Sequence, residues 1–281
     1  MTFLQDLRFA ARMLLKDRWF TVVAATALGL GIGVNTTVFT FVNAVLIRGL
    51  PFERADEIVY LATRDTTKDE NDSSAASWQE FEDWRDKARS VPALAAFRFQ
   101  QMNISDPEHP AERASGVAVT ANTFSVLRQQ PFLGRDFAPG DDAAGAAPVV
   151  IIGYSIWKNR YGSDPAVIGR ALKINEVAHT IIGIMPEGMR FPTNSDLWRP
   201  LQPLTDESRR NRFISVFGRL APGVTWNQAA AEMAGISRQL QTTYPDTNKN
   251  IEARLMTFNQ RFNGGPIRLV FLSLLGAVGF V

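Results

Sequence analysis

The chain has no cysteine, and its 281 residues include only two histidines, His109 and His179. The first absence excludes disulfides, so stability in an oxidising compartment has to come from packing. Neither histidine has a partner at ligand spacing, which argues against a zinc site or a Cys/His catalytic site. No GxxxxGK[ST] phosphate loop occurs, so nothing here cradles nucleotide phosphates. No basic block appears beyond the N-terminus, and the formal net charge is only +2. Nucleic acid is therefore excluded as the expected partner. Gly153-Tyr154-Ser155 is not a nucleophile elbow, because GxSxG centres Ser in a pentapeptide that ends in Gly. The acidic groups Asp65, Asp69, Glu70 and Asp72, and Asp141 and Asp142, lie in polar loop-like stretches and read as solvated surface.

A long stretch without charge is present instead. Residues Trp19 to Ile47 carry no formal charge over 29 positions, behind a basic opening. As a helix at about 1.5 Å per residue this reaches roughly 43 Å, more than a hydrocarbon core of about 30 Å. The stretch reads as a transmembrane helix over 19–47; a buried helix of a soluble protein is the bland alternative. Arg8, Arg12, Lys16 and Arg18 precede it, whereas charges of both signs follow it. The positive-inside rule then puts the N-terminus in the cytoplasm and the body outside. A cleaved signal peptide fits less well, since its apolar region is about 7–15 residues long.

Residues 1–18 place Phe3, Leu4, Leu7, Ala11, Leu14 and Leu15 on one helical face and Arg8, Arg12 and Lys16 on the other. This pattern predicts an amphipathic interfacial helix on membrane lipid, with Arg18 and Trp19 at the headgroup level. The alternative is that 1–18 simply begins the span. Within the span Ala25, Gly29, Gly33 and Thr37 recur every four residues, a stripe on which a second helix packs closely in lipid. Gly29, Gly31 and Gly33 lack the GxGxxG spacing of a dinucleotide loop. At the other end Leu269–Val281 is uncharged but covers only about 20 Å as a helix. Residues 267–281 are expected to begin a second transmembrane helix that is cut off by a truncated chain.

Residues 51–266 read as an extracytoplasmic α+β domain of two lobes: a βαβ-type lobe and, over about 107–212, an inserted, mainly β lobe. Strands are expected at Glu57–Ala62, Leu94–Phe99, Met102–Ser105, Ala114–Thr120, Val149–Ile152, Ile214–Leu220 and Ile251–Met256. Ser77 with Glu80 and Thr225 with Gln228 form capping boxes at the starts of two helices. Trp78, Phe81 and Trp84 line the first; Ala229, Met233, Ile236 and Leu240 line the second. The two strand–helix–strand units bracket the domain as in split βαβ folds. A hairpin turns at Asn175-Glu176. Residues 185–203, with four prolines, read as ordered loop. Gly134, Gly162, Gly169 and Gly183 read as turn positions.

Several phrases in order carry a resemblance. They are Leu50-Pro51-Phe52, Gly116-Val117-Ala118-Val119, Gly134-Arg135-Asp136-Phe137 and Val149-Val150-Ile151-Ile152 with Trp157. Ile181-Ile182-Gly183-Ile184-Met185-Pro186, Asp196-Leu197-Trp198 and Arg219-Leu220-Ala221-Pro222-Gly223 follow. The series resembles the periplasmic core domain of MacB-type, FtsX-like ABC transporter permeases, in the branch of stand-alone duplicated permeases. The resemblance implies a non-catalytic permease subunit of the inner membrane, active in efflux by mechanotransmission. It implies a permease dimer or a second permease half, and a separate ABC ATPase subunit that binds the ATP; no cofactor, metal or catalytic residue is expected on this chain. The other function class left open is a membrane-anchored binding or regulatory module without transport.

Overall fold

The computed structural model describes residues 9, 12–14, 16–42, 52–69, 74–203, 207–263, 269, 273 and 276. They fall into two units, described in turn: Leu50–Arg261, and Met1–Gly49 with Phe262–Val281.

In the larger unit, β1 (Ile58–Asp65), helix α2 (Trp78–Lys87) and β2 (Ala93–Asp106) form one strand–helix–strand unit. β9 (Ser215–Arg219), α5 (Trp226–Thr243) and β10 (Ile251–Met256) form the other. Their four strands lie in the antiparallel order β10-β1-β9-β2, the split βαβ arrangement. Both predicted capping boxes are present. The Glu80 N–H donates to Ser77 Oγ at 3.2 Å and the Ser77 N–H to Glu80 Oε2 at 2.9 Å. Thr225 and Gln228 repeat the exchange at 3.3 and 2.8 Å. The helices then bury Trp78, Phe81, Trp84, Ala229, Met233, Ile236 and Leu240 against Val59, Leu61, Leu94, Ala96 and Val216. This one-sided core is what the sequence periodicity predicts.

Between β2 and β9 the chain builds β3 (His109–Val119), the short helix α3 (Thr123–Leu127) and β4 (Leu133–Gly134). Next come β5 (Val149–Ile152), α4 (Tyr154–Tyr161) and β6 (Ala171–Ile174), then β7 (Val177–Ile184) and β8 (Leu197–Pro200). Strands pair in the order β2-β3-β8-β5-β7. β6 pairs with both β7 and β2, so six strands close into a barrel. The barrel holds a second core of Met102, Ile104, Val150, Ile152, Leu172, Ile174, Ile181 and Leu197, with Trp157 and Tyr161 of α4.

Three sequence expectations need correction. Leu94–Phe99 and Met102–Ser105 are one strand, β2, which runs through Gln100 and Gln101 because β3 pairs with it from Phe97 to Asp106. The loop expected at 185–203 contains β8, whose partner β3 lies some 80 residues away and leaves no local signal. Gly183 is a strand position, not a turn: a Cβ there would lie 2.5 Å from the Arg135 carbonyl oxygen. Gly134, Gly162 and Gly169 do adopt positive φ. The Asn175-Glu176 turn is also as expected, with φ of 46° and 69°.

In the smaller unit, α1 (Arg18–Val42) is 25 residues long and follows a bend at Asp17. Thr21 spans that bend, its hydroxyl donating to the Leu14 carbonyl at 2.6 Å and to that of Asp17 at 2.9 Å. Its Arg18–Thr37 stretch is long and apolar enough to cross a membrane, by length and composition. Of the predicted second span only Leu269, Ser273 and Gly276 are described, and all three are exposed.

Candidate functional site

On α1, Ala25, Gly29, Gly33 and Thr37 are all exposed. A Cβ built at Gly29 or Gly33 would meet nothing within 4 Å. The Thr37 hydroxyl donates to the Gly33 carbonyl at 2.8 Å, which satisfies it within its own helix. The stripe is a smooth, open surface. Arg12, Lys16 and Arg18 are exposed, and so is Trp19, at 82%. Arg8 lies outside the described residues.

The larger unit contributes an aromatic junction that sequence reading does not reveal. On the helix-free face of the split βαβ sheet, Phe97 of β2 and Phe217 of β9 pack around Phe191, from the segment before β8. Ring centroids lie 5.7 Å (Phe97) and 4.9 Å (Phe217) from that of Phe191. Two further rings reach Phe191: Phe52 at 5.9 Å and Phe258 at 5.5 Å. Phe52 follows the apolar stretch in sequence, and Phe258, the first residue of α7 (Phe258–Asn263), precedes the C-terminal apolar run. Segments near both ends of the Leu50–Arg261 unit therefore pack on one residue of the inserted region. Phe191 is fully buried, and its carbonyl accepts from the Trp198 indole N–H at 2.8 Å.

Arg219, in the Arg219–Gly223 phrase, fixes the same place from the polar side. Its guanidinium donates to the carbonyls of Glu53, Arg54 and Val126 and to the Glu57 carboxylate, at 3.0–3.2 Å. Its burial keeps these charge-assisted bonds away from competing water.

A cleft of about 570 Å³ lies beside α2, lined among others by Trp78, Phe81, Asn122, Asp136, Phe137 and Leu201. Its size and largely apolar lining suit a small ligand. The buried Trp78 indole N–H has no hydrogen-bond partner among the described residues. Burial pushes the Asp136 carboxyl up, against the hydrogen bond from the Phe137 N–H at 2.7 Å.

At the far end of the β2–β3 hairpin, Asp106 gathers a polar network. His109 Nδ1 lies 2.8 Å from Oδ1; Arg160 Nε and the Tyr161 hydroxyl donate to Oδ2 at 2.9 and 3.1 Å. Burial pushes the Asp106 carboxyl up. The bonds from His109, Arg160, the Glu108 N–H and Tyr161 outweigh it and hold the group down at about 2. Burial and the adjacent carboxylate push the Tyr161 phenol up to about 12. Arg160 also pairs with Glu112 at 2.9 Å. The network locks α4 onto the hairpin. It pairs His109 with a carboxylate, a contact that one histidine in a polar stretch does not announce. Among the described residues no group of His, Asp and Glu could hold a metal ion.

Comparison with known proteins agrees with this architecture. Residues 21–236 match the family of the MacB-like periplasmic core domain. A stretch of 97 residues is 30% identical to the macrolide export ATP-binding/permease protein MacB of Marinobacter nauticus; it spans 34% of this chain and 14% of that protein. The periplasmic region of MacB from Actinobacillus actinomycetemcomitans superposes with a TM-score of 0.55 at 11% identity, over 74% of this chain and 91% of that one. A permease-protein domain from Porphyromonas gingivalis gives 0.54 at 14% identity, over 74% and 92%. The extracellular domain of the noncanonic ABC-type transporter YknZ from Gram-positive bacteria gives 0.50 at 14%, over 71% and 99%. At these identities the structural likenesses establish the fold.

Proposed function

Because the chain belongs to the MacB-like periplasmic core domain family, we propose that it is the non-catalytic permease part of an ABC-type complex. It couples a separate cytoplasmic ATPase to an efflux or envelope event outside the membrane. ATP binds the partner subunit, in keeping with the absence of a phosphate loop here. The N-terminus is cytoplasmic, α1 crosses the inner membrane, and Leu50–Arg261 stands outside it.

The observation that carries this reading is the convergence of Phe52 and Phe258 on Phe191. A movement delivered through the apolar segments would reach the packed core of the outer domain directly. Interiors at crystal-like density pass such displacements on rather than absorb them. The Arg219 bonds to Glu53 and Arg54 stiffen the same joint. The open Gly29/Gly33 stripe supports pairing with a second permease helix, and Arg12, Lys16, Arg18 and Trp19 support seating at the cytoplasmic headgroups.

The test uses the absence of native cysteine. The exposed Gln130 is changed to Cys, and intact cells are treated with an impermeant thiol reagent. Labelling is expected before the cells are broken open; labelling only afterwards would overturn the outward placement. An ABC ATPase is expected to co-purify with the full chain. Phe191→Ala should leave that association intact while removing the dependence of hydrolysis on the outer domain. Gly33→Leu should reduce cross-linking between permease helices.

A second reading is a membrane-anchored binding or regulatory module without transport. The cleft beside Trp78 favours it, and it predicts a bound small ligand with no ATPase partner.

A further inference from the structure

The barrel has a mouth, and the charges there do not balance. Along β8, Leu197 points into the barrel core, so Arg199, two residues on, lies on the same face. By the same alternation Gln100 lies two residues before the inward Met102 on β2, and His179 two before the inward Ile181 on β7. These three polar residues end the barrel core. A cavity of about 290 Å³ opens there, lined by Arg199, His179, Asn175 and Gln202 among others.

Arg199 is half-buried and has no carboxylate partner among the described residues. Nε and Nη2 both donate to Gln100 Oε1, at 3.0 and 2.7 Å, and Nη1 reaches the Pro200 carbonyl at 3.4 Å. Both acceptors are neutral oxygens. A second arginine, Arg98, lies on the same face of the sheet, one strand beyond β3. Arg98 and Arg199 both pair with Ala118, on opposite sides of β3, and Ala118 is too small to separate them. Arg98 also has no ion pair among the described residues; its guanidinium lies over the Phe213 ring, 4.6 Å from the centroid. Burial, and then the Arg98 charge, disfavours the charged form of Arg199, with no carboxylate to oppose them. The one acidic group lining the cavity, Asp141, is engaged by Arg135 at 2.7 Å. His179 Nδ1 lies 2.9 Å from the Val177 carbonyl, which leaves Nε2 free of a hydrogen bond among the described residues.

Two half-buried arginines on one sheet face with no carboxylate partner among the described residues are costly unless an anion completes them. Mouths of β-barrels are also common places for small-ligand sites. We propose that this mouth binds a ligand through an oxyanion, a carboxylate or phosphate group. Arg199 holds it through its fork, and Arg98 supplies the second positive charge.

The test follows thermal unfolding of the detergent-solubilised full chain at constant ionic strength, with inorganic phosphate, acetate or chloride. Phosphate or acetate should raise Tm well beyond chloride, and whichever does so identifies the oxyanion. Arg199→Gln should remove the shift, and Arg98→Gln should weaken the apparent affinity at least about tenfold. Without added anion, Arg199→Gln should leave Tm unchanged or higher, since it deletes an uncompensated charge; an arginine with a merely structural role would lower it. Should Arg199→Gln not fold, Arg199→Lys serves, because it keeps the charge and loses the fork. Equal shifts in all three salts, or a shift that survives Arg199→Gln, would overturn the proposal. Asp206, seven residues on in sequence, provides the last control. A response to phosphate or acetate that arises only in Asp206→Asn would overturn it in favour of an internal carboxylate.

Discussion

The split βαβ lobe and the barrel solve the same burial problem in different ways. In the first, two capped helices lie on one face of four strands, and its most buried carboxylate is partnered. Glu80, 1% exposed, accepts from Arg212 at 2.7 Å, from the Asn248 amide at 2.9 Å and from the Ser77 N–H. In the second, strands enclose the core themselves, a polar network closes the far end, and the near end keeps two arginines without a carboxylate partner among the described residues. Glu80 draws these charge partners from across the lobe, Arg212 and Asn248 lying 132 and 168 residues away in sequence. A lobe closed by distant pairings leaves its polar ends where the strands happen to stop, and such ends are where ligands bind.

Four changes break or sharpen this contrast. The largest effect is expected where the lobes share a residue. Phe191→Ala should destabilise the outer domain by about 4 kcal/mol, read from denaturant unfolding. A cost below about 1 kcal/mol would mean that the ring is not a joint of both lobes. Glu80→Ala should cost about 3 kcal/mol, because it strands the Arg212 guanidinium and the Asn248 amide; the Ala variant and wild type unfolding together would count against a partnered charge in that lobe.

Acid should act on the barrel side. The Asp106 carboxyl sits at about 2, below its unfolded value near 4, so its contribution is complete above pH 4 and disappears as pH falls through 2. That amounts to about 2 kcal/mol, and Asp106→Asn should flatten this part of the pH–stability curve. The smallest change is a cap: Ser77→Ala should cost about 1 kcal/mol, and an equal loss from Thr225→Ala would show that the two helices depend alike on their boxes.

What the residues reveal in advance divides along the same line. Ser77, Glu80, Thr225 and Gln228 mark two helix starts within four positions each, and Val149–Ile152 and Ile251–Met256 are strands to the residue. Their signals are local. Gln100-Gln101 interrupts the alternation of β2, although Gln100 is needed at the barrel mouth by Arg199. β8 lies among prolines and is defined by a partner far away in sequence. The candidate sites were less legible than the fold. The small-residue stripe is a pattern along one helix, whereas Phe191 gains its meaning only from rings brought in by four other segments. Arg98 and Arg199 are brought to either side of Ala118 by a register that no spacing encodes.

β2 has one further consequence. Leu94 and Ala96 belong to one core and Met102 and Ile104 to the other, on a single strand that pairs with β9 over Ala93–Phe97 and with β3 from Phe97 to Asp106. Hinging the lobes apart would mean tearing hydrogen bonds from the middle of that ribbon. The two lobes of Leu50–Arg261 are thus tied together by one strand, which turns back into β3 at Asp106 and His109.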